Sequence, residues 1–200
     1  MDITSAMVKD LRTKTGAGMM DCKEALTASA GDVEKAIEYL RKKGMSAATK
    51  RSSKAAKEGV VSSYIHMGGR IGVMVEVNCE TDFVAKTEDF QAMSKDIAMH
   101  VAASNPLFLK PEEIPPEVME REKEIYRSQA MAEKKPEKIW ERIIEGKLKK
   151  YYEEVCLLQQ KFIKNTDITV ETLVNNMIAK TGENIVVRRF ARFQLGEDLK

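Results

Sequence analysis

Two histidines, one tryptophan and three cysteines are all that 200 residues supply of imidazole, indole and thiol side chains. Cys22, Cys79 and Cys156 are odd in number and far apart, with no CxxC pair, so neither a zinc knuckle nor a dithiol redox site can be built from neighbours. Reduced, buried thiols are expected. His66 and His100 have no His or Cys at ligand spacing, and no metal is expected. Also missing is a GxxxxGK[ST] phosphate loop, and Gly16 with Gly18 lacks both a preceding strand and the third glycine of a dinucleotide loop. No GxSxG frame positions a nucleophile, and Glu80 with Asp82 reads as acids at a strand end, without companion ligands, rather than as an acid–base pair. These gaps argue against an enzyme and against a cofactor. No charged-then-apolar leader opens the chain and no apolar run approaches the roughly 20 residues of a membrane span, so a cytoplasmic location is expected.

Present instead is ordinary globular material, 43% hydrophobic and 32% charged, with a net charge of +2 that is too mild for a surface given over to nucleic acid. The first 44 residues divide into three short helical patterns, broken at Gly16-Ala17-Gly18 and at Gly31-Asp32. In the third, Val33, Ala36, Ile37 and Leu40 form one apolar face, Asp32 stands at the N-cap and Gly44 marks the expected stop. Residues 45–58 turn to Ser, Ala and Lys, with Lys50, Arg51, Lys54 and Lys57 as cations. The segment reads as a basic, solvated linker; an RNA-binding strip is the alternative, weakened because no aromatic residue interleaves the cations.

From residue 59 the period changes to that of strands. Val60 to Met67 is rich in β-formers, Gly68-Gly69 suggests a two-residue turn, and Ile71, Val73, Val75, Val77 and Cys79 alternate with Met74, Glu76 and Asn78, which predicts a hairpin with one apolar face. A helix through Phe90, Met93, Ile97 and Val101 ends before Asn105-Pro106, and His100 reads as part of its packing. Residues 117–134 and 136–154 carry mixed charge around sparse apolar anchors, as expected of a projecting antiparallel helical pair. A short helix from Val170 to Lys180 closes on Thr181-Gly182, and Ile185 to Leu195 is a strand able to join the hairpin, its Arg188, Arg189 and Arg192 reading as a half-exposed sheet face rather than a phosphate site. The fold class predicted is α+β: a helical N-terminal module, then an antiparallel sheet of at least three strands with packed helices and a helical hairpin.

Between the second strand and the following helix lies Thr81-Asp82-Phe83-Val84-Ala85-Lys86. An aromatic ring at such a junction either plugs the core or protrudes toward a partner. Pattern alone favours burial, with Thr81 or Asp82 capping a helix, while the adjacent carboxylate suits a surface that meets a polar partner. His66, beside the Gly-Gly turn, is a surface histidine able to hydrogen-bond a partner.

Leu11-Arg12, Thr15-Gly16-Ala17-Gly18-Met19-Met20-Asp21-Cys22-Lys23-Glu24-Ala25-Leu26 and Glu76-Val77-Asn78-Cys79-Glu80 running into Thr81-Asp82-Phe83-Val84-Ala85-Lys86 closely resemble the two signature segments of the bacterial translation elongation factor Ts family. The similarity continues through Ser63, Tyr64, His66 to Gly72, Ile97 to Ser104, and Gly182 to Ile185 with Arg188 and Arg189, covering nearly the whole chain. The resemblance is to the short form with a single core subdomain. It implies a guanine-nucleotide exchange factor for elongation factor Tu, with a ubiquitin-associated-like module at 1–44, a linker at 45–58 and a core and dimerisation domain at 59–200. In that family the TDFVA segment enters the partner's nucleotide domain on the magnesium side, which assigns partner contact to Thr81, Asp82, Phe83, Val84 and Ala85. The resemblance also implies contacts from Arg12, Met19, Met20, His66 and Gly182. Thr181 stands where longer relatives carry an apolar residue, so no contact is carried over to it. Longer members hold the TDFVA segment and the histidine on two core subdomains, whereas here Phe83 and His66 share one hairpin unit; the short form is therefore expected to be a homodimer in which one protomer supplies Asp82 and Phe83 and the other His66.

Overall fold

A computed structural model describes residues 2–198. The N-terminal module is three helices, α1 (Ser5–Thr15), α2 (Met19–Ala28) and α3 (Val33–Arg51). Thr4 and Asp32 cap α1 and α3, their side-chain oxygens accepting the Met7 and Lys35 N–H groups. Val8, Leu11, Cys22, Ala25, Leu26, Ala36 and Leu40 make a small core of their own.

One expectation fails here. Gly44 does not stop α3, which runs on through the first half of the supposed linker to Arg51. A glycine in mid-helix costs only about 1 kcal/mol relative to alanine, and Gly44 is buried where α3 crosses a later helix: a Cβ there would meet the Asn176 side chain and the Asn175 carbonyl at 3.6 and 3.7 Å. The glycine marks a close helix crossing, not an end.

The core opens with strand β1 (Glu58–Ile65) and its antiparallel partner β2 (Ile71–Cys79). Their connection is longer than the expected two-residue turn and spans His66 to Arg70. His66 N–H donates to Ile71 O and Gly69 N–H to His66 O, both at 2.9 Å, and Gly68 and Gly69 take φ of 83° and 67°, open to glycine without strain. After β2 come a single helical turn, α4 (Asp82–Ala85), and the long helix α5 (Glu88–Ser104). The helical hairpin is present as expected, formed by α6 (Pro116–Ala132) and α7 (Trp140–Val155). A small hairpin that the sequence did not announce follows, β3 (Lys161–Phe162) with β4 (Asn165–Thr169), and then α8 (Val170–Thr181) and β5 (Val186–Gln194).

Strand β5 pairs antiparallel with β2, giving a three-stranded sheet of order β1-β2-β5. Its inner face, with Val73, Val75, Val77, Cys79 and Val187, packs on Phe90, Met93, Ile97 and Val101 of α5 and on Val170, Val174 and Ile178 of α8. The α+β class thus stands, with one face of the sheet covered. On the other face Ile65, Gly72 and Phe193 lie in one cross-strand row and Ser63, Met74 and Ala191 in the next, and Ile65, Met74 and Phe193 are exposed.

Among the described residues every buried side-chain nitrogen and oxygen has a hydrogen-bond partner. His100 accepts the Ile163 N–H at Nδ1 (3.3 Å), so Nε2 carries the proton it donates to Gln160 Oε1 (2.9 Å), and burial lowers the pKa of the ring. It is a packing histidine, as its helical position suggested. All three cysteines are free and buried.

Candidate functional site

The end of β2 turns outward at Glu80, and the backbone re-enters the core at α5. Between them, Thr81 caps α4 by accepting the Val84 N–H (3.4 Å), and Thr87 caps α5 by accepting the Phe90 N–H (3.4 Å). Of the four residues of α4, Ala85 is buried and Val84 is half-buried against the core. Phe83 falls on the opposite side and is 80% exposed. Local pattern pointed the ring inward; a single turn leaves it no core to enter.

Asp82 sits beside it, its carboxylate accepting from Lys86 Nζ at 2.5 Å. That hydrogen bond holds the Asp82 carboxyl below its usual range, so the acid stays ionised next to the ring. An exposed phenyl group flanked by a fixed negative charge is a protrusion that can enter an apolar crevice while meeting polar or cationic groups at its rim.

The protrusion stands on a firm base. Glu183, just past the C-terminus of α8, accepts at Oε2 from the N–H groups of Glu80 (3.2 Å) and Thr81 (3.0 Å) and at Oε1 from the Thr81 hydroxyl (2.6 Å). In the other direction, Glu80 Oε1 accepts the Asn184 N–H at 2.7 Å. Cys79 adds a third tie, its thiol donating to Thr81 O at 3.1 Å; burial, then the Glu183 charge, pushes its pKa up to about 11, so it is a thiol at neutral pH. None of this was foreseen from the sequence, because Glu183 is remote along the chain and Glu80 looked like an ordinary strand-end acid.

Gly182 is the αL cap of α8, at φ 73°, its N–H donating to Ile178 O, and it is exposed immediately beside Glu183. The structure therefore brings Gly182 to the same corner as Thr81–Ala85. Thr181 uses its hydroxyl internally, donating to Met177 O (2.9 Å) and accepting the Glu183 N–H (3.3 Å).

The remaining sites lie elsewhere. Arg12, Met19 and Met20 are exposed around the corner between α1 and α2, Met20 at 74%, whereas pattern alone would place the methionines in the small core. His66 is exposed at the far tip of the hairpin, where the Tyr64 hydroxyl lies 3.2 Å from its Nδ1. The Thr81 corner adjoins the Glu58–Cys79 end of the ladder and His66 the Ile65–Gly72 end. At about 3.3 Å per residue, the length of β2 separates them by on the order of 25 Å.

The basic segment does not form an open strip. Arg51 Nη1 lies 3.8 Å from Glu80 Oε1, and the Lys54 carbonyl accepts from the Asn184 side chain at 2.7 Å, which leaves Lys50, Lys54 and Lys57 as scattered exposed cations. On the last strand Arg189 pairs with Glu76 at 2.7 Å, and the Arg192 guanidinium donates to Gln194 Oε1 (2.9 Å), the contacts of a sheet face. Among the described residues no group of three or more His, Cys, Asp or Glu is placed to hold a metal ion, and no helix is long and apolar enough to cross a membrane.

Residues 2–197 match the sequence family described as Elongation factor TS. A protein named Elongation factor Ts from Syntrophus aciditrophicus (strain SB) is 82% identical over 200 residues, covering 100% of both chains. Another of that name from Heliobacterium modesticaldum is 59% identical over 197 residues, 98% of this chain and 92% of its own length. A third, from Desulfosudis oleivorans, is 55% identical over 195 residues and 98% of each.

Proposed function

Since the chain belongs to the elongation factor Ts family and is a translation elongation factor, we propose that it is the guanine-nucleotide exchange factor of elongation factor Tu. It binds the GDP form and promotes release by disturbing the partner's magnesium and phosphate site. The observation that carries this reading is Phe83, a large apolar side chain left 80% exposed on a one-turn helix that is braced from behind. Among the described residues the ring joins neither apolar core, and a braced aromatic is suited to force apart packed elements of another protein.

Exchange of this kind is a coupling between two ligands of one partner. The factor stabilises a conformation of elongation factor Tu that holds GDP poorly, and by reciprocity bound nucleotide weakens the factor's own grip. No bond is made or broken, so the chain acts as a binding protein and not as an enzyme. In this scheme Asp82 and Phe83 enter on the magnesium side, Thr81, Val84 and Ala85 shape the entering turn, and Arg12, Met19, Met20, His66 and Gly182 make supporting contacts. The thioethers of Met19 and Met20 suit the surface of a partner helix, since they adapt to irregular apolar relief.

The domain division belongs to the same proposal: a ubiquitin-associated-like module at 1–44, a connecting segment at 45–58 whose first part is helical, and the core at 59–200. So do a cytoplasmic site of action and a homodimer. The dimer is supported by the uncovered apolar sheet face of Ile65, Met74 and Phe193, and by the distance that keeps His66 away from Phe83 within one protomer. Pairing two such faces would let Phe83 of one copy and His66 of the other address one partner molecule.

Release of a fluorescent GDP from purified elongation factor Tu, followed with and without the protein, tests the exchange reading. Acceleration that grows with factor concentration to saturation is expected; an unchanged rate rejects it. Light scattering reads the dimer.

A further inference from the structure

Resting on the exchange reading, we propose that Glu80 and Glu183 form a reciprocal clasp that sets the aim of the Phe83 ring, with Glu183 as its principal positioning residue. The geometry is specific. Each of two short segments, Cys79–Asp82 and Gly182–Asn184, offers the other a carboxylate and receives one in return: Glu183 takes the Glu80 and Thr81 N–H groups and the Thr81 hydroxyl, while Glu80 takes the Asn184 N–H. Four donors on the backbone and at a cap are thereby satisfied by two charged acceptors, the stronger class of hydrogen bond.

The consequences for Phe83 follow from how α4 is built. A single helical turn has no cooperative stability of its own, so its orientation is decided by what holds its N-cap residue. Thr81 is that residue, and its hydroxyl has two tasks at once, donating to Glu183 Oε1 and accepting the Val84 N–H as N-cap. The Cys79 thiol holds its carbonyl. Held in this way, α4 meets its partner with the ring already pointed outward, and little ordering entropy is left to be lost on insertion.

The clasp also joins three parts of the molecule. Glu80 is approached by Arg51 at the end of α3 (3.8 Å), and Asn184 reaches the Lys54 carbonyl (2.7 Å). The helix that carries the N-terminal module, the strand that carries the protrusion and the helix cap that carries Gly182 are thus tied at one point.

The test compares wild type with Glu183→Ala and Glu183→Gln by two readouts. In the first, hydrogen exchange of the Thr81 and Glu80 amides is measured on the free protein. Loss in Glu183→Ala of the charged oxygen to which both N–H groups donate should speed exchange at these amides by roughly tenfold or more while leaving the central β2 amides unchanged. Glu183→Gln retains one amide oxygen for the two N–H groups and should recover much of the protection. In the second, GDP release from elongation factor Tu is titrated with each variant. The maximal rate should fall about tenfold for Glu183→Ala, with the half-saturating concentration nearly unchanged because the other contacts remain, and Glu183→Gln should lie between. A thermal melt of each variant separates these effects from unfolding, and the Gln variant stands in should the Ala variant fail to fold. Wild-type protection at Thr81 in Glu183→Ala, or loss of maximal rate that Gln does not restore, overturns the clasp. Failure of the wild type itself to accelerate release overturns the exchange reading instead, and the amide measurement, made on free protein, distinguishes that failure from failure of the clasp.

Discussion

Phe83 and Phe90 belong to consecutive helices, each opened by a threonine whose hydroxyl accepts the N–H three residues on. Their local chemistry is nearly the same, and their fates are opposite: Phe90 is 0% exposed beneath the sheet and Phe83 is 80% exposed. The difference lies in what each helix is for. The long helix α5 lays a continuous apolar face of Phe90, Met93, Ile97 and Val101 on β2, whereas α4 is a single turn whose core-facing side is taken up by Ala85 and Val84. Aromatic rings contribute to folding only where there is an inside for them to enter; beyond it they are available to another molecule.

The largest effect that would sharpen this contrast is on stability. Phe90→Ala should cost about 3 to 5 kcal/mol in urea unfolding, from lost transfer energy plus the cavity left behind, while Phe83→Ala should change the unfolding free energy by no more than about 0.5 kcal/mol. Comparable losses for the two would break the comparison. Next in size are the caps. Thr87→Ala removes the α5 cap and the hydrogen bond its hydroxyl donates to Val84 O (2.8 Å), and should cost about 1 kcal/mol, and Thr81→Ala should affect GDP release more than it affects the melting curve, since its hydroxyl serves α4 and the Glu183 clasp together.

A third effect is set by pH. Burial keeps His100 neutral in the folded protein, so its folded pKa lies below its value of about 6.5 in the unfolded chain. The contribution is fully present above about pH 6.5 and is lost as pH falls toward and through the lower folded value, at no more than about 1.4 kcal/mol per pH unit. Urea midpoints at pH 7.5 and 5.5 should show the loss in wild type and a shallower dependence in His100→Gln; equal slopes would contradict it. The smallest effect is at the exposed pair. Asp82, held ionised by Lys86, supports the α4 turn above the usual carboxylate range, and that support disappears only as pH falls below it. Lys86→Ala should therefore raise the Asp82 carboxyl pKa, read by NMR titration, with scarcely any change in melting temperature.

How much of this was legible beforehand follows the range of the interactions. Alternation from Ile71 to Cys79 and the apolar spacing from Phe90 to Val101 are local patterns, and both elements stand where those patterns put them. The paired helices α6 and α7 and the third strand β5 were legible for the same reason. Gly44 misled because a glycine marks either a stop or a close approach, and only the crossing with α8 decides which. The β3–β4 hairpin escaped because its strands are too short to show a period. At the candidate site the signature residues could be named from the sequence, but the outward aim of Phe83 depends on Glu183, a partner from the far end of the chain that no local pattern predicts.

The most direct test of the central claim is the maximal rate of fluorescent-GDP release from elongation factor Tu at saturating wild type and saturating Phe83→Ala, with both melting curves recorded alongside. The account predicts strong acceleration by wild type, a fall of roughly 30-fold for the variant, as for a contact worth about 2 kcal/mol, and superimposable melts. Equal rates for the two proteins, or a loss of rate that follows a loss of folding, would contradict it.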